Sequence, residues 1–235
     1  MPTCYVVSDL HLFSQRTLGH RYFAQIRGLA AQADHFVLAG DIFDFHWTTL
    51  NSIPETVQAA SAWLGDLVRD NPGCRFHYLL GNHDNHGLFV QRLDGLGQTA
   101  ANFAWHPYLL RLGDSVFLHG DAANPGMTPE RLPLYRRRWS NAHKRTPMQN
   151  RIYDAVTRAN LHKAAIRVAA PPRPVARRLL TYLDSMGYDA GSGVQDVYFG
   201  HTHRAMDDYC YRGVRFHNCG APMPGLKFQI LQARL

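Results

Sequence analysis

Short apolar runs recur along the chain at residues 4–7, 36–39, 75–80, 116–118, 196–199, 214–217 and 228–231. They are rich in Val, Phe, Tyr and Leu, and most give way to Gly, Asp, Asn or Ser, which is the pattern of buried β-strands. Between the early runs, apolar positions fall at helical spacing. Residues 21–33 place Tyr22, Ile26, Leu29 and Ala33 on one face. Residues 54–70 open on Pro-Glu, a helix-starting pair, and carry Val57, Ser61, Leu64, Leu67 and Val68 on one stripe. Strands alternating with helices predict an α/β fold.

Residues from about 120 to 195 contain no strand-like run. Segments 129–145, 148–168 and, after the Pro171-Pro172 break, 174–186 read as helices. The middle one puts Met148, Ile152, Ala155, Val156 and Ala159 at helical spacing. The expectation is one domain over residues 1–235, with a helical insertion at about 122–195 covering the edge of its α/β core.

Composition fits that picture. A chain of 235 residues, 46% hydrophobic, can bury a full core in one domain, and 18% charged residues argue against disorder. No apolar run approaches the ~20 residues of a membrane span. The start of the chain lacks a basic segment followed by an apolar one, so a soluble, cytoplasmic chain is expected. The four cysteines stand far apart with no CxxC pair, which excludes a zinc ribbon or redox motif and leaves Cys4 as a buried free thiol. Charge changes the picture more. Residues 128–181 hold 13 Lys or Arg against Glu130 and Asp154 alone, a net of +11 in a chain of net +7, so the insertion is basic and the remainder mildly acidic.

The candidate chemistry is positional. Nearly every strand-like run ends at a strong metal ligand: Ser8-Asp9-Leu10-His11, Gly40-Asp41-Ile42-Phe43-Asp44, Gly81-Asn82-His83-Asp84, His119-Gly120-Asp121 and Gly200-His201-Thr202-His203. Loops at the carboxyl ends of strands in an α/β sheet converge on one crevice, so these groups are expected to meet. The donors are oxygen and nitrogen without thiolate, a set that suits Mn²⁺, Fe²⁺ or Zn²⁺. Two such ions bridged by one carboxylate can clamp a phosphoryl group and generate a hydroxide nucleophile near neutral pH.

The five motifs, in this order, resemble those of the calcineurin-like metallophosphoesterase family over residues 3–121 and 196–235. The resemblance implies a four-layer α/β/β/α sandwich with two divalent ions, manganese foremost. Asp9, His11, Asp41 and His203 would hold the first ion. Asp41, Asn82, His119 and His201 would hold the second, with Asp41 bridging. Asn218-Cys219-Gly220 resembles the family's closing Asn-x-Gly turn. His83 is the candidate general acid, with Asp44 orienting it and keeping it protonated.

Motif spacing and the long insertion resemble one subgroup, the UDP-2,3-diacylglucosamine pyrophosphohydrolases of lipid A synthesis. That likeness implies an anionic substrate, contact with an inner-membrane surface, and a cap that holds acyl chains. Arg136, Arg137, Arg138, Lys144, Arg145 and Arg151 are then candidates to grip phosphates or anionic lipid. Leu132, Leu134, Tyr135, Trp139, Ile152 and Val156 are candidates for an apolar groove. The subgroup usually has Arg where this chain has His83, and an acid at that position favours an ordinary phosphodiester or monoester. A nuclease ranks third, since Tyr135, Trp139 and Tyr153 lie in a basic segment without any nucleic-acid-binding motif. A non-catalytic scaffold ranks last, because no ligand is missing.

Overall fold

A computed structural model describes residues 2–140, 143–158 and 161–235. The chain runs β1 (Cys4–Val7), α1 (Phe23–Ala30), β2 (His35–Ala39), α2 (Ile53–Asp70), β3 (Arg75–Leu79), α3 (Gly87–Thr99), β4 (Phe103–His106), β5 (Leu109–Leu112) and β6 (Ser115–Leu118). It continues with α4 (Arg131–Ser140), α5 (Pro147–Arg158), α6 (Leu161–Ala169), α7 (Pro172–Ser185), β7 (Asp196–Phe199), β8 (Met206–Tyr211), β9 (Val214–Asn218) and β10 (Leu231–Ala233).

Two five-stranded sheets form, in the orders β10-β1-β2-β3-β4 and β5-β6-β7-β9-β8. Side chains alternate across each strand, so a strand buried on both faces feeds two cores at once. Val6, Val37, Ala39 and Leu79 point between the sheets, where they meet Phe117 and Tyr198. Val7, Phe36, Leu38, Phe76 and Tyr78 point outward, against Leu64 and Val68 of α2 and Phe89 and Leu93 of α3. On the other sheet Val116, Leu118, Val197 and Phe199 point outward to Val175, Leu179 and Leu183 of α7. The result is the four-layer mixed α/β sandwich expected from the motifs.

Helix α2 forms where its stripe predicts. Ser52 caps it by accepting from the Glu55 backbone N–H at 3.2 Å, and Glu55 Oε2 accepts in return from Asn51 N at 3.1 Å. Of the predicted stripe, Val57, Leu64, Leu67 and Val68 are buried, while Ala60 takes the place given to Ser61. The helix expected at 21–33 is shorter, a 3₁₀ turn at Gly19–Tyr22 followed by α1.

The insertion carries no strand among its described residues, as expected, but its helices differ in extent. Helix α4 ends at Ser140, well short of residue 145. The predicted 148–168 helix is two helices, α5 and α6. Ala159 and the Val156 side chain lie outside the described residues. No helix among those described is long and apolar enough to cross a membrane.

Candidate metal centre

Parallel pairing holds β1, β2 and β3 in one sheet and β6, β7 and β9 in the other, with Val7 opposite Leu38, Ala39 opposite Leu79, and Leu118 opposite Phe199. All six strands therefore end level, and the loops that follow carry the candidate ligands to one edge of the sandwich.

The backbone there is strained in a consistent way. Asp9, His11, Asp41, His201 and His203 all have positive φ, between 45° and 65°. Non-glycine residues seldom adopt that conformation, and it persists only where the surroundings enforce it. Glycines make the room. A Cβ on Gly81 would collide with Asp41 Oδ1, one on Gly200 with Asp9 Oδ2, and one on Gly40 with His119 Nδ1.

Donor atoms converge in two groups. In the first, His11 Nε2 and His203 Nε2 lie 3.0 Å apart, and His203 Nε2 lies 3.4 Å from Asp9 Oδ1. In the second, His119 Nε2 lies 3.3 Å from both Asp41 Oδ2 and Asn82 Oδ1, and His201 Nδ1 lies 3.0 Å from Asn82 Oδ1. Asp41 Oδ2 is also 4.0 Å from His11 Nε2, so it stands between the groups. Asp9, His11 and His203 form one set able to hold a metal ion, and Asp41, His119 and His201 form another. All seven candidate ligands are thus brought together.

The charge balance fits cations. Asp9, Asp41 and Asp44 are at most 3% exposed, and their facing groups are imidazoles rather than arginines. Buried carboxylates without a cation are costly, and two divalent ions on this oxygen and nitrogen set would supply the missing charge.

His83 stands beside the two groups. Its Nδ1 lies 3.2 Å from Asp44 Oδ2, which is also 3.6 Å from His11 Nδ1. Burial alone would hold His83 neutral, but Asp44 and then Asp41 raise its pKa from 6.5 to about 9. The backbone N–H of His83 donates to Asp41 Oδ1 at 2.7 Å, tying the two loops. Trp139 of α4 packs on the His83 ring, centroids 4.8 Å apart.

The cap arginines divide. Arg136 is not a free phosphate-gripping residue: it is 3% exposed, and its Nε and Nη2 donate to Asp121 Oδ2 and Oδ1 at 2.7 and 2.8 Å. A third donor, Nη1, is given to the Pro107 carbonyl. The helix turns Arg137 and Arg138 the other way, into solvent.

Sequence reasoning passed over the residues that brace the centre. Asp84 accepts from Gly81 N at 2.7 Å, Ile42 N at 3.0 Å and Tyr78 Oη at 2.6 Å, locking two ligand loops together. Asn124 Oδ1 lies 3.1 Å from His201 Nε2. The Asp84 signal was in view, directly after Gly-Asn-His, whereas Asn124 sits in no recognisable pattern. Asn218 closes the edge as expected, donating to the Gly200 carbonyl at 2.8 Å and accepting from Gly220 N at 2.8 Å.

Among solved structures, a dimetal phosphatase from Danio rerio is similar at 14% identity and a TM-score of 0.46, covering 95% of this chain and 89% of that one. No curated protein is similar enough in sequence to count as a match. The calcineurin-like phosphoesterase family profile matches residues 2–205. The chain belongs to the calcineurin-like phosphoesterase family and is a metal-dependent phosphohydrolase.

Proposed function

We propose that the chain hydrolyses phosphoesters at a dinuclear centre, with Asp9, His11, Asp41 and His203 holding one ion and Asp41, Asn82, His119 and His201 the other. The observation that carries this is the place of Asp41 Oδ2, within 3.3 Å of His119 Nε2 and 4.0 Å of His11 Nε2. Two divalent ions on such a set, manganese foremost, supply charge for the phosphoryl oxygens and a water acidified to near neutral pH.

The chain's own residues do the rest. Asp44 fixes Nδ1 of His83 and leaves Nε2 as the proton donor. Asp44, the first of the carboxylates that raise the His83 pKa, favours the protonated ring, which gives its proton to the departing oxygen. Trp139 covers the ring and limits water around it. This acid suits an alkoxide leaving group, hence a phosphodiester or monoester. The test is His83→Ala on manganese-loaded protein. Alkyl esters should slow by ~10²–10⁴-fold and p-nitrophenyl esters far less. Equal losses on both would remove the acid role.

A second reading, a UDP-2,3-diacylglucosamine-like pyrophosphate, is favoured by the cap surface. Leu134, Met148, Ile152 and Val168 are 58–83% exposed there, beside the exposed Arg137 and Arg138. An apolar and basic surface of this kind fits acyl chains and peripheral contact with an anionic membrane in the cytoplasm. Release of UMP from that substrate by the metal-loaded protein decides between the two.

A further inference from the structure

We infer that the recess bounded by His201 and His203 on one side and by the cap on the other is a binding pocket for a compact apolar group of the substrate, up to two fused rings in bulk, attached to the phosphorus held at the centre. The inference rests on the phosphoester reading above and narrows its substrate class.

The cavity shared by His11, Asp44, His83 and His203 is about 40 Å³. That is close to the ~30 Å³ one water takes up in the liquid, and no organic group fits there. A second cavity, of about 290 Å³, is also lined by His203, together with His201 and Thr202. His203 belongs to the first donor group and His201 to the second. A substituent on a phosphate held between the two groups therefore has this recess within reach.

The remaining walls are mostly aliphatic, from Pro125, Ile166, Ala169, Ala170 and Val175. They are also fixed in place. His162 Nε2 donates to the Pro224 carbonyl at 3.2 Å near the start of α6, and Arg204 Nη1 donates to the Ala170 carbonyl at 3.3 Å just past its end. Ala170 and Val175 are part of the core that α7 covers. The polar groups in the wall already have partners within the chain. Asn124 Oδ1 lies 3.1 Å from His201 Nε2, and Arg178 Nη1 donates to the Ala123 carbonyl at 3.3 Å. Groups so engaged offer little to a polar ligand, so the recess selects for apolar surface. An apolar cavity of about 150 Å³ holds benzene, and roughly twice that volume suits a fused two-ring group or a branched chain of similar bulk.

Manganese-loaded protein is titrated calorimetrically with methylphosphonate, phenylphosphonate and 1-naphthylphosphonate, each a phosphoryl group bearing one organic substituent. Hydrolysis of bis-p-nitrophenyl phosphate is followed in parallel. The naphthyl compound should bind about tenfold to hundredfold tighter than the methyl compound, with phenyl between them. Its heat-capacity change on binding should be the most negative of the three, the mark of buried apolar surface. Ile166→Trp, which fills the recess, should remove the naphthyl advantage. Ile166→Ala, which takes wall away without crowding, should cut it by about three- to tenfold. If Ile166→Trp loses methylphosphonate binding as well, Ile166→Ala decides. Equal affinity for the three phosphonates in wild type, or a naphthyl advantage that Ile166→Ala leaves intact, would overturn the inference. Absence of methylphosphonate binding together with absence of bis-p-nitrophenyl phosphate hydrolysis would instead sink the phosphoester reading, and this inference with it.

Discussion

Arg136 of the cap helix α4 forms a two-point ion pair with Asp121, which follows the metal-ligand candidate His119 by two residues. The backbone carbonyl of Arg136 also accepts from Asn85 Nδ2 at 3.2 Å, so one residue fastens the cap to two ligand loops. Arg136→Ala leaves Asp121 buried and unpaired, and the expected cost is about 3–5 kcal/mol of folding stability. Denaturant unfolding checks it. A loss below about 1 kcal/mol would mean that water replaces the guanidinium, as at a surface pair.

Gly81 is the second point of weakness. Adding a methyl group there drives it into the Asp41 carboxylate and backbone N–H, so Gly81→Ala should displace Asp41 while leaving the sheets paired. Metal affinity is expected to fall by about 10–100-fold, as when a ligand's support is removed, with far-ultraviolet circular dichroism unchanged. Metal titration followed by emission spectroscopy reads the result, and unchanged affinity would show that Asp41 is not held by this contact.

The far end of the second sheet gives a pH prediction. Burial pushes the Asp196 carboxyl up, but hydrogen bonds from Arg215 and His217 outweigh it and hold the pKa below 3.8. A depressed carboxylate contributes stability that is fully present above its unfolded pKa and is lost as pH falls through the folded one. The stability gap between wild type and Asp196→Asn should therefore be constant from about pH 5 upward and shrink below about pH 3.8. A gap that widened on acidification would contradict the assignment.

What was legible in the sequence was local. Each ligand motif lies within two residues of a strand end, so Asp9, Asp41, Asn82, His119 and His201 could be placed from short-range pattern alone. Elements with mixed signals were passed over. Strand β8 carries Asp207 and Asp208 and a bulge, β5 follows Pro107 and contains Arg111, and α3 holds three glycines and buries only Phe89 and Leu93. Arg136 was misread because its partner lies fifteen residues away on another element, and a basic run does not reveal which member turns inward. Arg16 was passed over for the same reason: its stacking 4.2 Å from the Tyr153 ring centre and its 2.8 Å hydrogen bond to Asn150 Oδ1 arise only once the helical insertion has folded.

The most direct test of the account is the metal content of Asp41→Ala beside wild type, both reconstituted with Mn²⁺ and freed of excess ion. The account predicts two equivalents in wild type, and well under one in the variant, with hydrolysis of bis-p-nitrophenyl phosphate abolished, because one carboxylate serves both positions. Two equivalents retained in Asp41→Ala, or a single equivalent in wild type, would contradict a centre bridged by Asp41.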